Sequence, residues 1–204
     1  MPILQDLVNE PSSMHLKKYF EIQSLDGATS RNSYAKAILA VHSLNCEGAK
    51  LVVDWPKWAS TANYFGTTMR VFGTEDELLQ VKLLIEAHVA KVLRGKYGKK
   101  PMLLGPICDV PEHAKATWMF KRDRAPCRSR SNSQIQRLVR RALARGEEPK
   151  VYEPKFVESH TLMLVSLSTD LRFPMDICRV RPSHLDFVDC EPSSYGLGVP
   201  IPRF

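Results

Sequence analysis

Between residues 16 and 110 the apolar pattern switches repeatedly between a period of two and a period of about 3.6. That alternation limits the possible folds more than any other feature of the chain. Residues 16–22 alternate as a strand. Residues 32–44 have helical spacing, with Tyr34, Ile38, Leu39, Val41 and His42 along them. Gly48 interrupts the chain before residues 49–55, a second strand that Pro56 stops. Residues 68–73 form a third strand. Thr74 is placed to cap the next helix, with Glu77 at the capping-box position. That helix, 75–93, carries Leu78, Val81, Leu84, Ile85, His88, Val89 and Val92. Residues 102–104 and 107–110, around Gly105-Pro106, make a fourth strand region. The order β-α-β-β-α-β is that of a ferredoxin-like split βαβ unit, so the fold class is α+β. This leaves the activity open.

After residue 114 the character changes. A short strand at 117–120 leads into the stretch 121–145, KRDRAPCRSRSNSQIQRLVRRALAR. It holds nine Lys/Arg and one acid, Asp123, in a chain whose total charge is +7. The remainder is close to neutral, and a concentrated charge of this kind marks a polyanion partner, most often nucleic acid. Its second half, 134–145, reads as a helix. Ser133 and Gln136 fit a capping box, and Gly146 sits where a left-handed closing residue belongs. Arg137, Arg140, Arg141 and Arg145 fall on one side, and Ile135, Leu138, Val139, Ala142 and Leu143 on the other. One face is expected to dock on the protein and the other to face phosphates. Arginine rather than lysine suits bidentate phosphate and base contacts. Arg122, Arg124, Arg128 and Arg130 extend the same surface.

Beyond a linker at 147–150, residues 161–168 form a strand with few charges, and residues 175–180 are its hairpin partner. The tail, 193–204, is turn-rich. The expected organisation is a loose leader at 1–13, a ferredoxin-like domain at 14–114 and a smaller α+β domain at 115–204. No apolar run approaches the ~20 residues that span a bilayer, and the first residues lack the basic and apolar regions of a signal peptide. The five cysteines are scattered without a CxxC pair, and the histidines show no metal spacing. This pattern fits a reduced, cytoplasmic protein with no metal, no other cofactor and no membrane partner.

On residues alone, His42 reads as a helix histidine without further role. Ser166 and Ser168 are two apart and share one strand face. Phe173 is either a core residue or a stacking platform, and Tyr195 either packing or a reactive hydroxyl.

The tail Tyr195-Gly196-Leu197 with its proline-containing aromatic end, the arginine helix led by Ser131-Asn132, and Ser166-Leu167-Ser168-Thr169 occur together and in order. In this they resemble the repeat-processing endoribonucleases of type I-F CRISPR systems, the Csy-type branch of the Cas-six superfamily, from about residue 14 to the end. The resemblance implies cleavage of a CRISPR repeat RNA at the 3′ base of its hairpin, without metal. The ribose 2′-hydroxyl is the nucleophile, and the ends are a 2′,3′-cyclic phosphate and a 5′-hydroxyl. It implies retention of the product in a type I-F Cascade complex, beside its backbone and other subunits, with one copy of the chain per RNA. Carried over by motif, His42 is the catalytic histidine, late in the first helix. Ser166 is the active-site serine, with Ser168 and Thr169 beside it. Phe173 stacks on the base at the cut, and Tyr195 is the tyrosine of the YGL motif. Arg122 and Arg124 read base edges in the hairpin groove, and helix 134–145 enters it. A common form of that base-reading pair has glutamine at its second position. Residues 126–130 are additional.

Such a cut needs a base for the 2′-hydroxyl proton, an in-line geometry and charge stabilisation at phosphorus. Imidazole is the usual base near neutral pH, and orientation alone contributes much of the rate. The A-form major groove is too narrow for ordinary side-chain reading. An arginine helix enters only near a helix end or loop, so a short hairpin is favoured over a long duplex. The alternative is a hairpin-binding subunit that does not cut.

Overall fold

The computed structural model describes residues 16–25, 27–59, 65–93, 102–123, 132–149, 158–166, 168–187 and 190–204. The leader at 1–13, Arg124, Arg128, Arg130 and the additional residues 126–130 lie outside them. Strand β1 (Lys18–Ser24) is followed by α1 (Gly27–Cys46), β2 (Val52–Asp54), β3 (Thr68–Gly73), α2 (Glu75–Leu93) and β4 (Met102–Leu104). These strands pair antiparallel in the order β2-β3-β1-β4, and a two-residue β5 (Cys108–Asp109) also pairs with β1. The expected βαββαβ unit is present. Its fourth strand region is split at Gly105-Pro106, whose proline has no N–H to give to the ladder.

The second sheet contains β6 (Lys115–Asp123), β7 (Ser159–Val165), β8 (Arg172–Val180) and β9 (Pro200–Arg203) in the order β7-β8-β6-β9. Its helix is α3 (Asn132–Ala144), and a 3-10 turn spans His184–Phe187. β7 and β8 form the expected hairpin. The tail was not expected to pair, yet β9 runs antiparallel along β6. Pro200 and Pro202 disguise it in sequence. They are tolerated because β9 is an edge strand. Pairing on both sides, with β8 and β9, also makes β6 longer than the strand expected at 117–120.

Helix ends follow local chemistry. Thr74 and Glu77 form the capping box, with Thr74 N donating to Glu77 Oε2 at 2.8 Å and Glu77 N to Thr74 Oγ1 at 3.4 Å. Helix α3 starts at Asn132, so Ser133 lies in its first turn and is not the cap. At the other end Gly146 takes φ 70°. Gly146 N then donates to Leu143 O and Glu147 N to Ala142 O, both at 3.0 Å. This closing motif needs a residue without a Cβ penalty at Gly146.

Helix α1 determines the shape of the site. Tyr34, Ala35, Ala37, Ile38, Ala40 and Val41 are all buried, so its apolar face is wide, as befits a helix packed against several elements. It packs on α2, β1 and β7. An aromatic cluster continues this contact. Trp58 stacks on His160 at 3.8 Å, and Trp55 meets Phe120 edge-on at 5.0 Å. Each such buried aromatic contributes about 1.5–3 kcal/mol. His160, assigned no role from sequence, is a core residue whose Nε2 lies 2.8 Å from Ala59 O.

Asp54 is also buried, at the end of β2 opposite Arg70. Burial raises its carboxyl from an ordinary 3.8 to about 6, while Arg70, Arg203 and Arg179 draw it back down. The folded state therefore holds this proton more tightly than the unfolded chain. The resulting stability is fully present below the ordinary carboxylate range and is lost as pH rises through about 6, amounting to about 3 kcal/mol at most. Thermal melts against pH should show wild type losing more stability than Asp54→Asn across that window. Parallel curves would show that Asp54 titrates alike in both states.

Candidate active site

The late part of α1 and the end of β7 meet at a cleft lined by Leu39, His42, Val165, Ser166, Ser168, Phe173 and Tyr195. The packing of α1 on β7 makes this meeting possible. Leu39 and His42 are three apart, so both look out from one side of the helix. Cys46, one turn on, places Sγ 3.7 Å from His42 Nδ1 and 3.9 Å from Nε2. Leu39 and Cys46 were not expected at the site. Their helical spacing from His42 is the signal that could have found them.

The serines reach the cleft by a route other than the one expected. β7 ends at Val165, so Ser166 and Ser168 belong to the hairpin turn and do not share a strand face. The turn itself brings their hydroxyls together, with Oγ atoms 3.2 Å apart. Ser166 N donates to Leu171 O and Asp170 N to Ser166 O, each at 2.9 Å. Thr169 N donates to Ser166 Oγ at 3.3 Å. Asp170 takes φ 57°, a conformation aspartate tolerates better than most residues. Phe173, the second residue of β8, is half-buried beside this turn.

Tyr195 comes from the tail, and its ring lies over His42 with centroids 4.2 Å apart and planes 8° from parallel. The loop that carries it is held by backbone bonds to both sheets. Val53 N donates to Gly196 O at 3.0 Å, and Gly198 N to Phe120 O at 2.8 Å. Gly196 takes φ 74°. A Cβ there would sit 3.1 Å from both Leu51 O and Val41 Cγ1, so the backbone angle favours glycine and any side chain would be crowded. Asn45, which sequence reasoning passed over, ties the parts together. Its side chain exchanges two 2.9 Å bonds with the backbone of Leu51, and Nδ2 also donates to Ser193 O at 3.3 Å.

The arginine surface is separate in structure. Arg137, Arg140 and Arg141 on α3 are exposed, as are Arg122 on β6 and Arg145, which lies one residue past the helix end at Ala144 rather than inside the helix expected to reach 145. Arg145 pairs with Glu147 at 2.9 Å. Among the described residues, Arg122, Arg137, Arg140 and Arg141 have no carboxylate within ion-pair distance. Lys121 is committed to Asp186 at 2.9 Å. The Ser183 hydroxyl and backbone N–H, then Lys121, hold Asp186 down at about 2. On the opposite side of α3, Ile135, Leu138, Val139 and Ala142 are half-buried, but Leu143 is 60% exposed. At about 100° per residue Leu143 lies on the flank of that stripe, which explains why it is not covered as expected.

Among the described residues, no three His, Cys, Asp or Glu side chains are grouped as metal ligands. No helix among them is long and apolar enough to cross a membrane. A family model described as CRISPR-associated protein (Cas_Csy4) matches residues 19–204. No curated protein matches the chain.

Proposed function

The chain belongs to the Cas_Csy4 family of CRISPR-associated proteins, repeat-processing endoribonucleases that bind CRISPR RNA, and from that membership we propose how and where it cuts. The substrate is the repeat hairpin of precursor CRISPR RNA, and the cut falls at the 3′ base of the stem. The ribose 2′-hydroxyl attacks the adjacent phosphorus. A bond forms between O2′ and phosphorus, and the bond from phosphorus to the 5′-oxygen breaks. His42 takes the 2′-hydroxyl proton, and the departing oxygen gains one. The ends are a 2′,3′-cyclic phosphate and a 5′-hydroxyl, and no metal takes part.

The observation that carries this reading is the meeting of His42 with the Ser166 turn, Phe173 and Tyr195 at one cleft. These residues come from widely separated parts of the chain. The paired hydroxyls of Ser166 and Ser168 hold the ribose and phosphate in line, which supplies rate through orientation. Thr169 fixes Ser166 through its backbone N–H and takes part in RNA contact. Phe173 stacks on the unpaired base beside the cut. Tyr195 backs the imidazole and limits its rotation. Arg122, Arg137, Arg140, Arg141 and Arg145 grip the stem, extended by Arg124, Arg128 and Arg130. The same grip retains the product, one copy of the chain per RNA, within a cytoplasmic type I-F Cascade. The division is into a ferredoxin-like domain, 14–114, and an RNA-binding domain, 115–204.

Incubating a labelled repeat hairpin with the protein in EDTA tests the reading. Cleavage at the 3′ base of the stem is expected. A shifted but uncut RNA would instead identify a binding subunit.

A further inference from the structure

At the other end of β8 from Phe173, a second basic and aromatic surface remains unused by the chemistry above. Arg179 and Arg181 both lie against Trp118 of β6, their guanidinium carbons 4.6 and 5.4 Å from its ring centre. Arg203 of β9 joins them, donating to Pro56 O at 3.2 Å. Lys115 stands opposite Arg203 in the β6–β9 register. Arg181, Arg203 and Lys115 are exposed, and Trp118 and Arg179 are half-buried.

Among the described residues none of these four cations forms an ion pair. The acids that act on Arg179 are Glu158 and the buried Asp54. Burial, and the charge of Arg203, make the Arg179 guanidinium easier to deprotonate than usual. Like charges are therefore held together with too few carboxylates to balance them, around an aromatic ring. An external anion relieves that repulsion, and a ring flanked by guanidinium groups offers stacking to a flat partner. Phosphate plus base, in one unpaired strand, meets both conditions.

We infer that Trp118, Arg179, Arg181 and Arg203 form a second RNA site, which takes single-stranded RNA flanking the hairpin. This rests on the reading that the stem base lies at the His42 cleft. Phe173 and Arg179 are six positions apart on β8, about 20 Å at strand rise. RNA leaving the cleft along that strand reaches Trp118 within a few nucleotides. A duplex does not suit the site, because its bases are already stacked on one another.

The test uses the full chain and repeat hairpins made uncleavable by a 2′-deoxy nucleotide at the cut. Affinity is measured by fluorescence anisotropy for three RNAs: the hairpin alone, and the hairpin with about ten unpaired nucleotides added 5′ or 3′, within the usual range of single-strand sites. A flank should tighten wild-type binding about tenfold, the size expected for one stacked base and its phosphate contacts. Arg181→Glu with Arg203→Glu, and separately Trp118→Ala, should lose that gain while binding the bare hairpin as wild type does. Trp118→Phe should keep part of it. The inference fails if neither flank tightens wild-type binding. It also fails if the variants weaken bare and flanked hairpins equally, the result of a purely structural Trp118–arginine contact. Failure of wild type to bind even the bare hairpin would instead overturn the proposed function.

Discussion

His42→Ala should slow hairpin cleavage by about 10²–10⁴-fold, the usual contribution of a positioned base, and change hairpin affinity by less than about threefold. The reason for this split lies in the placement of His42. Its ring stacks on Tyr195 and lines the same cleft as the Ser166 turn, whereas the exposed arginines belong to α3, the turn that follows it, and β6. Removing the imidazole takes away the proposed proton acceptor without touching the arginines proposed to hold the stem. His42 is only half-buried, so the variant should fold, and a thermal melt checks that it has. Single-turnover rates at saturating protein separate chemistry from binding. Cutting that survives the substitution would assign the base to another group.

The second large effect concerns affinity. Replacing Arg137, Arg140 and Arg141 together with alanine should weaken hairpin binding by about two to three orders of magnitude at low salt. It should also flatten the log-log salt dependence by about two to three, since each phosphate contact contributes roughly 0.7–0.9 to the slope. The rate at saturating protein should change little. Triple replacement with lysine keeps the charges and therefore most of the slope. It loses the planar fork that grips phosphate with two bonds, so its affinity should fall between the two. Equal salt slopes for wild type and the alanine variant would place these arginines off the RNA.

The first sheet was largely legible in sequence because local signals agreed there. The bounds of β3 and α2 follow from the apolar pattern itself, and the capping box of Thr74 and Glu77 marks the boundary between them. Less could be read where tertiary contact overrides pattern. Helix α1 starts at Gly27, earlier than its periodicity suggests, because residues 27–31 include no large apolar side chain for a period to register. β9 was hidden by Pro200 and Pro202, which argue against a strand until its place at a sheet edge is known.

For the site, residue types were legible but their assembly was not. Nothing in sequence spacing brings His42 to Ser166, since that contact depends on α1 packing against β7. The two serines were expected to share a strand face. They meet because a hairpin turn folds one hydroxyl back on the other. Asn45 resembles any helix-terminal asparagine, yet it bonds the backbone of Leu51, just before β2, and Ser193 of the tail loop that carries Tyr195. Trp118 and Arg179 are on different strands, and only the β6–β8 register reveals them as neighbours.

The most direct test of the whole account replaces the single ribose 2′-hydroxyl at the cut with hydrogen, leaving base and phosphate intact. The protein should bind this hairpin as tightly as the all-ribose one and leave it whole, in EDTA or with added divalent ions. Cleavage of the deoxy hairpin at the normal rate would mean that an outside nucleophile attacks the phosphate, and the role given to His42 would be wrong.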